Sequence, residues 1–181
     1  MADPHIPGPA LLVVAVFSKH LEAFDWTRER LQRDYGPIGA VSPIYPFHHT
    51  KYYDSTMGPG QHKQLLAFEQ LVAPEQLTAI KLHTNQLERE LADSGQYAEA
   101  RPVNLDPGLL TLGKFELATT KDQCHRIYLR DGIFAEVTLR FQDGQYEPWP
   151  WTYADYREDV VRRALKEFRD YYKQRLAAAG G

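Results

Sequence analysis

Between Asn104 and Tyr153 the chain gathers the residue types from which a polar binding site is made: Asn104, Asp106, Lys121, Arg126, Tyr128, Glu136, Thr138 and Tyr153. A cation opposite a carboxylate on paired strands has two uses. Left in water, Arg126 and Glu136 are an ordinary cross-strand ion pair worth roughly 0.2–1 kcal/mol. Sheltered in a cleft, they become part of a convergent charged set suited to an anionic small molecule. Lys121 and Arg126 are then the ligand's cations, with Asn104, Tyr128, Thr138 and Tyr153 as polar lining. Glu136 would orient Arg126 or act as general base, and Asp106, at the mouth, is the second acid/base candidate. The plainer alternatives stay open beside this one: a solvated sheet face for the hairpin residues, a turn held by Asx side chains for Asn104 and Asp106, and a helix anchor for Trp149, Trp151, Tyr153 and Tyr156.

The element that must position these groups is a hairpin over Cys124–Phe141, signalled by Asp131-Gly132 between two alternating runs. A two-residue loop would mix Arg126, Tyr128 and Arg130 with Ile133, Ala135 and Val137 on one face. A three-residue loop, Arg130-Asp131-Gly132, pairs Ile127 with Ala135, Leu129 with Ile133 and His125 with Val137 on an apolar face. It sets Arg126 opposite Glu136 and Tyr128 opposite Phe134 on the polar one. A slip of one residue inverts the faces, so segregation of charge from core selects the three-residue loop. His125 then falls on the apolar side as a core histidine.

The remaining elements follow from periodicity. Leu11–Phe17 is a Val-rich run with the pattern of a central strand buried on both faces. Asp25–Tyr35 is helical, Ala40–Phe47 and Lys51–Tyr53 are extended, and Lys63–Leu71 is a strand. Glu75–Asp93 is a helix with a stripe of Leu77, Ile80, Thr84, Leu87 and Leu91. Arg101–Leu105 is extended, and Asp106-Pro107-Gly108 has the composition of a type II turn. Lys114–Thr119 is a strand, and Asp155 caps a last helix whose stripe is Val161, Leu165, Phe168, Tyr172 and Leu176. The order implies an α+β fold: a ferredoxin-like β-α-β-β-α-β core with an added antiparallel strand, the hairpin and a C-terminal helix. Residues 11–176 form a single domain in this reading, residues 1–10 a disordered tail and 177–181 a frayed one.

Bulk properties exclude several classes. A net charge of −3 gives no general attraction to nucleic acid or anionic membranes. RNA stacking on Tyr128 and Phe134 is disfavoured for the same reason. Cys124 is the single cysteine, so neither an intrachain disulfide nor a multi-cysteine metal site is available. His48 and His49 point to opposite faces of an extended stretch and no His spacing matches a zinc motif, so no metal ligand is assigned and a structural zinc site is disfavoured, while a distributed His/Asp site stays open. The apolar run at Leu11 is too short to span a membrane, which points to a cytosolic protein. The cofactor, if one is used, is unknown from the sequence.

Several strings carry a resemblance: Pro102-Val103-Asn104-Leu105-Asp106-Pro107-Gly108, Leu117-Ala118-Thr119-Thr120-Lys121-Asp122, His125-Arg126-Ile127-Tyr128-Leu129, Ala135-Glu136-Val137-Thr138-Leu139 and Trp151-Thr152-Tyr153-Ala154-Asp155-Tyr156. With Lys51-Tyr52-Tyr53 through Met57-Gly58, and Lys81-His83-Thr84-Asn85 through Glu88, the chain from Leu11 to about Tyr172 resembles the bacterial family catalogued as domain of unknown function 4416. That resemblance implies no established activity. The GTP-binding label carried by some members is unsupported here. In the only glycine-rich candidate, Gly58-Pro59-Gly60-Gln61-His62-Lys63, Pro59 removes a phosphate-facing N–H and no Ser or Thr follows Lys63.

These observations lead to a cytosolic protein that binds a phosphate- or carboxylate-bearing small molecule on a polar sheet face, with enzymatic activity left open. Substitution of Arg126 or Lys121 by alanine is expected to abolish binding with little change in stability. The rival expectation is a non-enzymatic interaction module, a homo-oligomer joined through edge strands or the last helix.

Overall fold

Strand β1 (Ala10–Ser18) is buried along its whole length, and the sheet assembles on both of its edges. The computed structural model describes residues 3–48 and 54–179. The extended reading of Lys51–Tyr53, and His49, lie outside them. On one edge β1 pairs with β4 (His62–Val72), whose far edge takes β2 (Ile38–Val41) and the short β3 (Tyr45–Pro46). On the other it pairs with β5 (Asn104–Leu110), followed by β6 (Lys114–Thr119) and β8 (Ile133–Gln142). The far edge of β8 takes β7 (Ile127–Arg130) near its start and β9 (Gln145–Pro148) near its end. Every pairing is antiparallel, giving a mixed α/β protein built on one large antiparallel sheet.

Helices cover both faces. α1 (Leu21–Tyr35) and α3 (Leu77–Asp93) set Phe24, Leu31, Ile80, Leu87 and Leu91 against Leu12, Val14, Val16, Leu66 and Phe68. α4 (Asp159–Ala179) sets Val161, Leu165, Phe168 and Tyr172 against Leu11, Val13, Ala15 and Leu65 on the opposite face. This accounts for the unbroken apolar character of β1, since odd and even residues both meet a helix. The single turn α2 (Asp54–Met57) and two 3-10 segments, Pro74–Gln76 and Ala154–Arg157, complete the described elements.

Several local expectations are corrected. Asp106-Pro107-Gly108 is not a turn but the middle of β5, with Ala15, Val14 and Val13 opposite. Both breaker residues have a use there. Pairing of β5 with β6 begins only at Gly108, and Pro107, one residue upstream, has no N–H with which to extend that ladder. At Gly108 the neighbouring strand comes so close that a Cβ would stand 2.2 Å from the Glu116 carbonyl oxygen. The α1 helix begins earlier than expected, at Leu21, and α4 persists through Ala179 rather than fraying from Ala177. Asp155 does not cap α4. It lies in the preceding 3-10 segment, and α4 starts at Asp159.

The body of the hairpin has the expected register, Ile127 opposite Ala135 and Tyr128 opposite Phe134, but its tip does not. Asp131 and Gly132 both take positive φ, 53° and 76°, and form a two-residue turn with Arg130 opposite Ile133. Two left-handed residues twist in the sense that paired strands require. A register shift at Leu129 absorbs the extra residue, so turn chemistry and face segregation are both satisfied. A second Asp-Gly turn, Asp143-Gly144, also with positive φ, joins β8 to the unanticipated β9.

Candidate functional site

Where β5 and β6 part, a cavity of about 460 Å³ opens between them. Asn104 and Asp106 line it from β5, Leu117 to Lys121 from the end of β6 and the loop beyond, and Arg126 and Glu136 from the hairpin. α3 supplies Lys81 and Asn85 from one side, and Tyr153 to Tyr156 close the other. The site is thus a split between strands rather than one polar sheet face. The gap admits groups from the helix on one face and from the segment before α4 on the other.

On the β5 wall, Asp106 is held at both oxygens. The Lys81 ammonium donates to Oδ1 at 3.1 Å and to the Leu105 carbonyl at 2.8 Å, while Asn104 Nδ2 donates to Oδ2 at 2.7 Å. Burial alone would push the Asp106 carboxyl up. The Lys81 charge and hydrogen bond, with the Asn104 amide, outweigh it and hold the group below the usual carboxylate range. Behind this wall Glu88 accepts from the Leu105 N–H at 2.7 Å and from Arg101 at 2.6 and 2.9 Å. Burial raises the Glu88 carboxyl more than Arg101 and Lys81 lower it.

Methionine at Lys81 is expected to raise the Asp106 titration midpoint, because it removes the charge and hydrogen bond that offset burial. An NMR titration of the side-chain carboxyl carbon reads this, and an unmoved midpoint would rule out Lys81 as the cause. The linkage sign follows from the depressed folded-state value. Ionised Asp106 stabilises the native chain above the unfolded carboxyl pKa of about 3.9, and that contribution is lost as pH falls through the lower folded value.

On the hairpin wall, Glu136 is almost fully buried and receives Arg126 Nε at 2.7 Å, with His125 Nε2 at 3.1 Å from the same oxygen and Thr138 Oγ1 at 3.4 Å from the other. Arg126 also donates to the Lys121 carbonyl at 2.9 Å and to the Tyr153 hydroxyl at 2.6 Å. Three of its five N–H donors are thereby committed. His125 is not the apolar-side core residue expected from alternation. β7 begins only at Ile127, so the preceding turn is free to bring His125 to Glu136 and stack it on Trp151 at 5.6 Å.

At the remaining end of the cavity, Asp155 forms a buried ion pair with Lys63, which reaches in from β4. The Lys63 ammonium lies over the rings of Phe17 and Tyr156, 4.3 and 3.8 Å from their centroids. Burial lowers its pKa, and the attraction of Asp155 restores only part of that.

The family model described as a domain of unknown function, number 4416, matches residues 8–172. The chain belongs to that family. No curated protein matches it. Among the described residues no helix is long and apolar enough to cross a membrane, and no group of three or more His, Cys, Asp or Glu side chains could hold a metal ion.

Of the residues nominated from sequence, Asn104, Asp106, Lys121, Arg126, Glu136 and Tyr153 line the cavity. Tyr128 and Thr138 do not. Tyr128 is 57% exposed against Phe134 on the outer strand, and Thr138 is buried behind Glu136. Sequence reasoning missed Lys81 and Lys63, read Asp155 as a helix cap, and placed Tyr156 in an aromatic cluster that anchors the last helix or walls a planar ligand. Both lysines carried a signal: Lys81 follows Ile80 on the inward side of the α3 stripe, and Lys63 alternates with Leu65 and Ala67 in β4. A charged residue in register with core positions is worth marking.

Proposed function

We propose that the cleft binds a small molecule through a phosphate or carboxylate, with Lys121 and Arg126 facing that group. Asp106, orientated by Lys81 and Asn104, is the group available for acid/base chemistry. Glu136, already accepting from three side chains, orients Arg126. One observation carries the reading: Lys81, Lys121 and Arg126 converge with Asp106, Glu136 and Asp155 on a single cavity of ligand size. The strand order β2-β4-β1-β5, antiparallel throughout with α1 and α3 on one face, supports treating the chain up to Leu110 as a ferredoxin-like unit beneath it. The exposed thiol of Cys124 supports a reducing, cytosolic setting.

Inorganic phosphate is expected to raise the melting temperature of the wild-type protein. Lys121→Ala should weaken the apparent phosphate affinity about tenfold or more, the loss typical of one charged hydrogen bond. Since Lys121 is exposed, the variant's own stability should stay within about 0.5 kcal/mol of wild type. A phosphate response equal in both proteins would reduce it to a general salt effect and remove the reading.

A second reading has its own observation. All of β7 is exposed at the sheet edge, with Ile127 at 72%, which suits edge-to-edge pairing of two copies. Light scattering should then show a dimer that Ile127→Lys converts to monomer. A wild-type monomer at high concentration excludes it.

A further inference from the structure

Extending the anion-binding reading, we infer that the end of the cleft built by Asp155, Tyr156 and Asp106 reads hydroxyl groups, so that the ligand is a polyhydroxylated anion of the sugar-phosphate class. Tyr156 lines the cavity and is 2% exposed, yet its hydroxyl has no hydrogen-bond partner among the described residues. A buried donor left in that state is costly, and a polar group arriving from the cavity removes the cost. The neighbouring Tyr45 hydroxyl is buried and unpartnered in the same way. Burial and the surrounding carboxylates Asp155, Asp106 and Glu136 hold the Tyr156 phenol well above its ordinary pKa, so it stays a neutral donor.

The acceptor half of the same arrangement is Asp155. Its Oδ2 takes the Lys63 ammonium, and no hydrogen bond engages Oδ1 among the described residues. A donor of the Tyr156 type lining the same cavity as a carboxylate oxygen that has no partner among the described residues matches the two-sided character of a hydroxyl, which accepts from one and donates to the other. Asp106 faces the same cavity with part of its carboxylate exposed and offers a second such contact.

Charge separates this ligand class from the alternatives. Each of these carboxylates already carries a lysine, Lys63 on Asp155 and Lys81 on Asp106. A ligand ammonium would therefore meet a nearby like charge, and a second anion would meet carboxylates, whereas a neutral hydroxyl meets neither penalty. Phe17, Phe47 and Leu117 supply the apolar wall on which the C–H face of a sugar rests.

Calorimetric titration of the full chain with inorganic phosphate, ribose 5-phosphate, glucose 6-phosphate and glucosamine 6-phosphate tests the inference, in wild type and in Tyr156→Phe. The variant keeps the ring and deletes only the unpartnered hydroxyl, so its melting temperature should not fall. Wild type should bind at least one of the two sugar phosphates about tenfold more tightly than phosphate. Tyr156→Phe should lose most of that advantage while keeping its affinity for phosphate. Equal affinity for phosphate and both sugar phosphates, or an advantage untouched by Tyr156→Phe, overturns the hydroxyl reading and leaves anion binding standing. Tighter binding of the amino sugar than of glucose 6-phosphate overturns it in favour of an ammonium ligand. Silence toward all four compounds removes the anion-binding reading and this inference together.

Discussion

Methionine in place of Lys63 should destabilise the fold by about 3–5 kcal/mol, the usual cost of stranding one partner of a buried ion pair. The ammonium is fully buried between the rings of Phe17 and Tyr156, and among the described residues Asp155 is the carboxylate that pairs with it. Without it, Asp155 faces the cleft with its charge uncompensated. At roughly 2–4 °C per kcal/mol for a chain of this length, the melting temperature falls on the order of 10 °C. Because the loss comes from the stranded charge, Lys63→Met combined with Asp155→Leu should recover most of it. Replacing both members of a buried pair by apolar residues is often neutral. Urea melts of the two single variants and the double variant close the cycle and give the coupling directly. A single Lys63→Met variant within 1 kcal/mol of wild type would show that this pair does not hold the 154–157 segment against β4.

Alanine at Arg126 should be comparably damaging, again about 3–5 kcal/mol, and this reverses the sequence-level expectation that Arg126 is dispensable for stability. Glu136 is as buried as its partner, and without Arg126 its partners among the described residues are His125 and Thr138. The same substitution releases the Lys121 carbonyl and the Tyr153 hydroxyl, so the loop after β6 and the segment before α4 lose their common tie. Arg126→Lys keeps the charge but not the planar fork that reaches three acceptors at once, and its loss should be intermediate. Thermal melts of Arg126→Ala, Arg126→Lys and Lys121→Ala should rank in that order of severity. A stable Arg126→Ala variant would return the residue to a purely ligand-facing role. Because an Arg126 variant loses a fold contact and a ligand contact together, binding is tested on Lys121.

Much of this site is legible in the sequence. The opposition of Arg126 and Glu136 followed from period-two alternation, which persisted because a bulge at Leu129 compensated for the tighter Asp131-Gly132 turn. β1 was evident because a strand covered by helices on both faces must be apolar at odd and even positions alike. The departures from local pattern have two causes. Asp106-Pro107-Gly108 has the local chemistry of a turn, but its neighbours on either side decided otherwise. Pairing with β1 drew it into the sheet, and close approach of β6 demanded the glycine. His125 was misplaced because alternation was extended two residues beyond the point where the strand begins.

Local periodicity is enough to tell which side chains share a strand or helix face, to oppose Arg126 to Glu136, and to set Lys63 and Lys81 in inward register among core residues. Long-range packing sets the rest: β5 and β6 separate upstream of Gly108, α3 reaches into the gap, and Lys63 meets Asp155 across 92 residues of chain. Local periodicity reports a residue's direction relative to its own backbone. Which distant group it meets depends on how whole elements pack, and no short stretch of sequence encodes that.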